Sequence, residues 1–404
     1  MAGPRATSLE PGPATPTRRS ILALVLATTA TGIMGNTLLA PAIPDILDEF
    51  GVGGSGAGWL IAATSAPGIL LAPVIGILAD RFGRRLVLTP CLAIFGMSGI
   101  LAALAPSFPL LIATRFGMGI GAAGLINMSV VLIGDHWSGE ERTEMIGRNA
   151  AFLTVGIALM PPIGGILTDV ASWRIALAPY GFGLLTAAFA WRVLPPDRPA
   201  DPDPVRDQVR ELSGVARQRS LLVVFASGTV IFALVFGVFL VTLPLHLEEE
   251  FGYGASVRGV FLAIPAIPAT VAALNLRRSR SAIGARGLLV ASSVALVVGF
   301  TLIGGATTGA VIALGCAVYG LGEGSSIPTL QDLAVSSAPA AHRAGVVAVW
   351  VGFGRLGQTI GPIAAALLFS ATSTTTALLA GALIAAALVA MFAFAPLPSG
   401  NPDT

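Results

Sequence analysis

Apolar stretches long enough to cross a lipid bilayer follow one another along almost the whole of this 404-residue chain. A crossing helix needs about 20 mostly apolar residues. That length is met near 20–44, 57–79, 86–105, 109–134, 145–168, 174–194, 221–245, 256–276, 285–304, 309–333, 342–370 and 374–396. Backbone donors and acceptors in hydrocarbon must be satisfied without water, which leaves helices and closed barrels as the only spanning structures. Barrel strands alternate apolar and polar residues over about ten positions, and the sequence shows no such alternation. The pattern therefore predicts an all-α membrane protein with twelve transmembrane helices. Several stretches exceed the minimum, so tilted helices are expected. Composition agrees: 54% of residues are hydrophobic and 11% charged, and the mean hydropathy of +0.84 lies outside the range of soluble domains.

The chain has no lysine, so all 23 basic residues are arginines, and arginine is retained on the cytoplasmic side of a membrane. Nineteen fall in the N-terminal tail and in the loops after the second, fourth, sixth, eighth and tenth stretches. Only Arg174 and Arg258 lie on the opposite side, while Arg115 and Arg355 fall within stretches. Both termini are therefore predicted to be cytoplasmic, with the chain in the plasma membrane. Asp45, Asp48, Glu49, Glu248, Glu249 and Glu250 gather at the opposite ends. The net charge of +2 thus conceals a polarity across the bilayer and does not point to nucleic acid. Asp45 and His246, near those outer ends, read as solvated side chains.

Residues 1–19 form a Pro-rich polar tail. The apolar run behind Arg18 and Arg19 is longer than the roughly 7–15 residues of a signal-peptide core, and further stretches follow it, so it reads as a retained helix. Residues 195–220, rich in proline and mixed charge, read as a flexible cytoplasmic strip between a six-helix unit at 20–194 and another at 221–396. Residues 397–404 form a cytoplasmic tail. Cys91 and Cys316 both lie within stretches and read as packing residues, not as a disulfide.

Displacing the sequence against itself by 201 residues aligns the two units. Phe50-Gly51 falls on Phe251-Gly252, Gly53 on Gly254, Pro67 on Pro268, Gly83 on Gly284 and Arg85 on Arg286. Gly119 and Gly121 fall on Gly320 and Gly322, Arg142 on Arg343, and Pro161 on Pro362. The period exceeds that of any solenoid repeat and indicates a duplicated six-helix bundle. Two parallel, pseudo-symmetric bundles suit alternating access around a site at their midplane interface.

The loop at 76–85 reads Gly76-Ile-Leu-Ala-Asp80-Arg81-Phe-Gly83-Arg84-Arg85. This pattern resembles the loop between the second and third helices of the major facilitator superfamily of secondary transporters. Two further segments resemble its drug and proton antiporter branch. One is Arg115-Phe-Gly-Met-Gly119-Ile-Gly121 in the fourth stretch, with Met118 where that branch has glutamine. The other is Gly156-Ile-Ala-Leu-Met-Pro161-Pro-Ile-Gly164-Gly165 in the fifth, with Met160 where glycine is usual. Gly361-Pro362 stands at the equivalent place in the second unit. Small residues at these spacings let helices pack closely, and a proline bends the axis. The resemblance implies that Gly76, Asp80, Arg81, Gly83, Arg84 and Arg85 form a cytoplasmic gate with Asp135, Glu140, Glu141, Arg142 and the start of the eleventh helix. Ser281 and Ala285 stand where a second copy would carry Asp80 and Arg84, so that copy is expected to be degraded.

Charge at hydrocarbon depth is expensive and marks function by default. Arg115, Glu323 and Arg355 are the candidates for proton coupling or substrate contact. Glu323 replaces an apolar residue, Ala122, of the duplicated helix, and either titrates during coupling or pairs with Arg355. Arg115 either serves proton transfer, as the resemblance implies, or anchors an anion, or snorkels outward. Asn36, Asn127, Tyr319 and Gln331 are candidates for lining the cavity. There is no phosphate-cradling Gly-Lys-Ser/Thr loop, and His136, His246 and His342 have no metal-ligand spacing, so neither a metal nor any other cofactor nor an enzyme activity is expected. These readings converge on proton-coupled export of a small amphipathic or hydrophobic compound, with the bilayer and protons as the other partners and a monomer as the working unit. The alternative is a proton-coupled importer or uniporter of a small polar metabolite. A non-transporting receptor would need an output domain that this chain does not show.

Overall fold

The computed structural model describes residues 17–196, 219–337 and 343–398, and among these there is no strand. Helical segments follow in chain order: α1 (Arg18–Phe50), α2 (Ser55–Phe82), α3 (Arg84–Ala103), α4 (Phe108–His136), α5 (Gly139–Val170), α6 (Phe182–Val193), α7 (Leu221–Phe251), α8 (Ala255–Leu274), α9 (Leu276–Gly304), α10 (Gly309–Ser336), α11 (Arg343–Ala371) and α12 (Thr374–Phe394). Among the described residues, ten of them are long and apolar enough to cross a membrane. The remaining two, α6 and α11, occupy the sixth and eleventh predicted positions.

Helix ends depart from the apolar boundaries in a consistent direction. α1 continues to Phe50 and α5 starts at Gly139, each beyond its apolar run, and residues 276–283 form a helical piece ahead of the kink at Gly284. Hydrophobicity marks the hydrocarbon layer, whereas a helix needs only its own backbone bonds and tolerates arginines such as Arg277 and Arg280 once it has left the lipid. The sixth stretch departs the other way. It opens as short turns, Trp173–Ala176 and Ala178–Gly181, because Pro179 has no N–H to continue the ladder.

Two pairs of glycines fix the corners. Gly51 ends α1 at φ 60° and Gly252 ends α7 at φ 65°, while Gly83 separates α2 from α3 at φ 90° and Gly284 kinks α9 at φ 72°. Each pair is 201 residues apart, so the backbone repeats what the sequence repeats. A side chain would be strained at all four.

The close approaches repeat as well. A Cβ on Gly119 would stand 2.5 Å from the Thr64 carbonyl, and one on Gly320 would stand 2.5 Å from that of Pro265, the equivalent residue. Across the two groups of six, a Cβ on Gly58 of α2 would meet the Pro362 carbonyl of α11 at 2.5 Å. One on Gly259 of α8 would meet the Pro161 carbonyl of α5 at 2.4 Å. A Cβ on Gly164 or Gly165 of α5 would have no more room, standing 2.0 Å from the Leu38 carbonyl and 2.2 Å from that of Ala255, and one on Gly361 would stand 2.4 Å from the Ala233 backbone of α7. A Cβ on Gly156 would stand 2.8 Å from the Ile33 side chain. Backbones meet where only hydrogen separates them, which is how helices associate without a hydrophobic force between them. These crossings hold α2 to α11 and α5 to α8 near the end that carries the acids, hereafter the acidic end. The opposite, arginine-rich end carries Arg81, Arg84, Arg85 and Arg142.

Candidate functional site

A cavity of about 260 Å³ lies between the two groups of helices. α1, α2, α4 and α5 supply one wall, in which Asn36, Thr37, Thr64 and Asn127 are the polar side chains among Ile33, Ile126, Leu153 and Ile157. α7 and α11 supply the other, with Phe232, Phe236, Trp350, Arg355 and Gln358. Phe232 packs against both aromatic neighbours, its ring centre 6.4 Å from that of Phe236 and 6.2 Å from that of Trp350.

Arg115 is fully buried on α4 and does not face the cavity. Its Nε donates to the Leu60 carbonyl at 3.0 Å, Nη1 to the Gly35 carbonyl at 2.7 Å and to the Tyr180 hydroxyl at 3.4 Å, and Nη2 to Asn36 Oδ1 at 2.7 Å. One guanidinium thus ties α1, α2 and the turn before α6 to α4. The same contact fixes the amide of Asn36 at the cavity wall, where Asn36 Nδ2 reaches Ser65 Oγ at 3.4 Å. A snorkelling role does not fit a side chain with no exposure.

Arg355 does reach the cavity. Its only side-chain hydrogen bond among the described residues runs from Nη1 to Gln358 Oε1 at 3.1 Å. The stem lies over Gly68 of α2, where an added Cβ would be 3.0 Å from Nε. Glu323 on α10 is half-buried, lies outside the cavity lining and makes no ion pair among the described residues. The two intramembrane charges considered as partners are therefore not joined here. Asn36 and Asn127 line the cavity, whereas Tyr319 and Gln331 do not. Tyr319 is buried against Phe239, with ring centres 4.2 Å apart, and Gln331 is exposed.

At the arginine-rich end Arg84 joins two helices. Its Nη1 meets Asp80 Oδ1 at 2.5 Å and its Nε meets Asp135 Oδ2 at 2.9 Å. The turn at Gly83 makes this possible, since it starts α3 with Arg84 facing the ends of α2 and α4. Arg85 stacks over the Trp191 ring at 3.9 Å. Arg142 lies along α4, with its Nη2 3.3 Å from a Cβ placed on Gly134. Arg81 is exposed, and a Cβ on Gly76 would meet nothing within 4 Å. Arg18 pairs with Glu141 at 2.8 Å. The expected contact with the start of α11 falls at 338–345, outside the residues or side chains described. Where the second copy of the Asp80 and Arg84 pair is degraded, a different pair, Arg280 with Asp332, joins α9 to α10. Arg286, the counterpart of Arg85, donates to the carbonyls of Phe392, Ala393 and Ala395 at the end of α12.

The acidic end holds what the sequence reading missed. Arg258 of α8 is 2% exposed and pairs with Asp45 of α1 and, at 3.3 Å, with Glu248 of α7. Asp169 of α5 accepts from the backbone N–H groups of Ala255 and Ser256 at 2.9 and 2.8 Å, capping α8 from the other group. Asp45 is thus an ion-pair partner and not simply a solvated acid. His246, also expected to be solvated, is 2% exposed, because it packs on Phe251 and its Nδ1 lies 3.2 Å from Thr374 Oγ1. One signal was available: Arg258 is one of the two arginines standing against the charge bias.

The sequence matches the model of the Major Facilitator Superfamily over residues 25–343 and 225–404. It is 30% identical over 246 residues to the bacillibactin exporter of Bacillus subtilis (strain 168), a match covering 57% of this chain and 60% of that protein, less than two thirds of its length. It is 27% identical over 363 residues to the class D tetracycline resistance protein of Salmonella ordonez, covering 87% of this chain and 90% of the relative. Among solved structures, the nucleoside transporter NupG superimposes with a TM-score of 0.76 at 13% identity over 93% of this chain and 98% of the other. A bacterial homologue of the human lysosomal transporter Spinster, in an inward-facing and occupied conformation, superimposes with a TM-score of 0.77 at 16% identity, over 92% and 95%. At these identities the structural likeness speaks for the fold.

Proposed function

The chain belongs to the Major Facilitator Superfamily, a family of secondary transporters and not of enzymes, and on that premise we propose that it exports a small amphipathic or hydrophobic compound in exchange for protons, by alternating access. The observation that carries this reading is the cavity walled jointly by α1, α2, α4 and α5 and by α7 and α11. A site shared by two parallel bundles is what rocking of one bundle against the other exposes to each side in turn. The name of the bacillibactin exporter favours export over import.

The arginine-rich end lies in the cytoplasm together with both termini, by the rule that short cytoplasmic loops keep arginine. The chain sits in the plasma membrane. The rocking bodies are residues 20–194 and 221–396, joined by the strip 195–220. One copy supplies both cavity walls, so the working unit is a monomer that needs no cofactor. The cluster of Asp80, Arg84 and Asp135 belongs to the gate that closes on the cytoplasmic side. Glu323 carries the coupling proton: it is an acid at hydrocarbon depth, with no ion-pair partner among the described residues.

The test is transport into proteoliposomes of the purified protein under an imposed pH gradient, with a panel of amphipathic compounds and polar metabolites. Amphipathic compounds should accumulate against their gradient only when the pH difference drives them. Glu323→Gln should abolish that accumulation and keep substrate exchange. Uptake of polar metabolites alone, or accumulation indifferent to the pH difference, overturns the proposal.

A further inference from the structure

Arg355 is the one ionisable side chain in the cavity lining among the described residues, and the lining contains no carboxylate. Resting on the transport reading, we infer that the transported compounds are organic anions: small molecules that carry a carboxylate or similar oxyanion beside a flat apolar body.

A guanidinium has five N–H donors. Arg355 uses one side-chain contact, to the neutral Gln358 oxygen. A neutral acceptor does not offset the burial of a full charge at membrane depth. The two fully buried arginines are treated differently by the fold. Arg115 meets three oxygens of backbone and side chain plus a hydroxyl, and Arg258 meets two carboxylates. Arg355 lines the cavity with guanidinium donors that have no acceptor among the described residues, and a guanidinium so placed can take an oxyanion by charge-assisted hydrogen bonds.

The position of this guanidinium is built from both groups of helices. Gly68 of α2 forms the notch over which the Arg355 stem lies. Gly354 and Gly228 make room for the aromatic partners, since a Cβ on Gly354 would stand 3.0 Å from the Phe232 ring and one on Gly228 would stand 2.5 Å from the Trp350 ring. The resulting surface of Phe232, Phe236 and Trp350 favours a planar apolar body by stacking and edge contacts. The opposite wall offers amides and hydroxyls of Asn36, Thr37, Thr64 and Asn127, all neutral. A cationic compound would enter next to Arg355 with no acid in the lining to balance it, because Glu323 lies outside. The volume of about 260 Å³ sets a small ligand, below the usual 300–1,000 Å³ of drug-sized sites.

The experiment uses three probes of one shape and different charge: naphthoate, naphthalenemethanol and naphthylmethylammonium. Their binding to the detergent-purified full chain is measured by isothermal titration, and their transport in the proteoliposomes described above. Naphthoate should bind about tenfold or more tightly than the alcohol, and the ammonium compound least, as a charge-assisted bond would require. Arg355→Gln should erase the preference for naphthoate over the alcohol while the affinity for the alcohol moves less than about twofold, and Arg355→Lys should restore part of the preference. Thermal unfolding of each variant separates loss of binding from loss of fold, and Gly68→Ala, which crowds the stem without touching the charge, should weaken naphthoate with the guanidinium still present. Equal binding of the three probes, preference for the ammonium compound, absence of naphthoate binding, or a preference that survives Arg355→Gln overturns the inference. Charge-selective binding without pH-driven transport would sink the transport reading alone, and pH-driven transport of only neutral or cationic probes would sink this inference alone.

Discussion

The two ends of the bundle are held by different kinds of contact. Among the described residues, the contacts that cross between the two groups of helices include, at the acidic end, Arg258 with Asp45, Asp169 with the start of α8, and the glycine crossings of α2 on α11 and α5 on α8, beside pairs such as Arg174 with Glu49 and Arg258 with Glu248 that stay within one group. At the arginine-rich end the ion pairs among the described residues stay inside one group. Arg18 with Glu141 and the cluster of Asp80, Arg84 and Asp135 belong to the first, and Arg280 with Asp332 to the second. The difference teaches that closure at the acidic end is a property of the two groups together, while the arginine-rich pairs make each group rigid enough to swing as a body. Structures of this kind change state by moving packed elements between discrete arrangements.

The comparison breaks hardest at Arg258. Arg258→Ala leaves Asp45 and Glu248 near each other without their cation, and removing one partner of a buried pair is destabilising by about 3–5 kcal/mol. Both acids are about a third exposed, which brings the expected effect to roughly 2–3 kcal/mol. Because the contact crosses groups, that loss should appear as opening of the acidic end and not only as a lower melting temperature. In a background without Cys91 and Cys316, a cysteine at Ala57, buried at that end, should be labelled by an impermeant thiol reagent about 30-fold or more faster, by the usual 1.4 kcal/mol per decade. The exchanged pair Asp45→Arg with Arg258→Asp should restore slow labelling. An unchanged rate would mean that the ion pair decorates a closure made by packing.

Packing itself is the next lever. Gly58→Ala and Gly259→Ala each drive a methyl group into a carbonyl of the opposite group, at 2.5 and 2.4 Å. Overpacking of this kind is destabilising by about 1–3 kcal/mol. The crossings are equivalent in the repeat, so the two variants should speed labelling at Ala57 by similar factors and, being distant, act additively when combined. Strongly unequal factors would show that one crossing alone holds the end shut.

How much of this was legible differs by residue. The alternation of apolar stretches, the glycine corners at 51, 83, 252 and 284, and the 201-residue repeat are all in the sequence, because each depends on chain-local physics. Glu323 and Arg355 were visible as charges at membrane depth, yet whether they meet depends on how α10 and α11 are rotated, and no local signal encodes that. The aromatic wall was invisible for a different reason. In lipid, a residue facing the bilayer is as apolar as one facing a core, so Leu60, fully buried, and Leu70, 76% exposed, look alike on the same helix. Phe232 at the cavity and Phe394 at 88% exposure cannot be told apart by composition either.

A smaller effect is expected at the arginine-rich end. Asp80→Asn removes one of the two acids on Arg84 and leaves Asp135 in place. Asp80 is half exposed, so the pair contributes about 1 kcal/mol or less. Labelling at Ala57 should not change. Transport should fall severalfold, and Asn127→Cys, on the cavity wall, should be labelled faster from the cytoplasmic side as closure of that side weakens. If labelling at Ala57 changed instead, the two ends would be coupled through the first group and the contrast between them would fail.

The smallest structural effect, and the sharpest use of the comparison, is expected at Gly76. The resemblance places this glycine in the gate loop, but here it is exposed on α2 and an added Cβ would meet nothing within 4 Å. In this state Gly76→Ala should leave the melting temperature unchanged or slightly raised, since alanine is favoured over glycine in a helix by up to about 1 kcal/mol. Naphthoate affinity should also be unchanged, because Gly76 is not in the cavity lining. Closure of the arginine-rich end would bring a second surface against α2, and there the missing side chain would matter as it does now at Gly58. Transport that drops while stability and binding hold would therefore locate the cost in the opposite state and make Gly76 the counterpart, at one end, of the crossings at the other. Transport equal to that of the unaltered protein would mean that this end closes without close approach at Gly76, and that the two ends differ in their packing as well as in their charges.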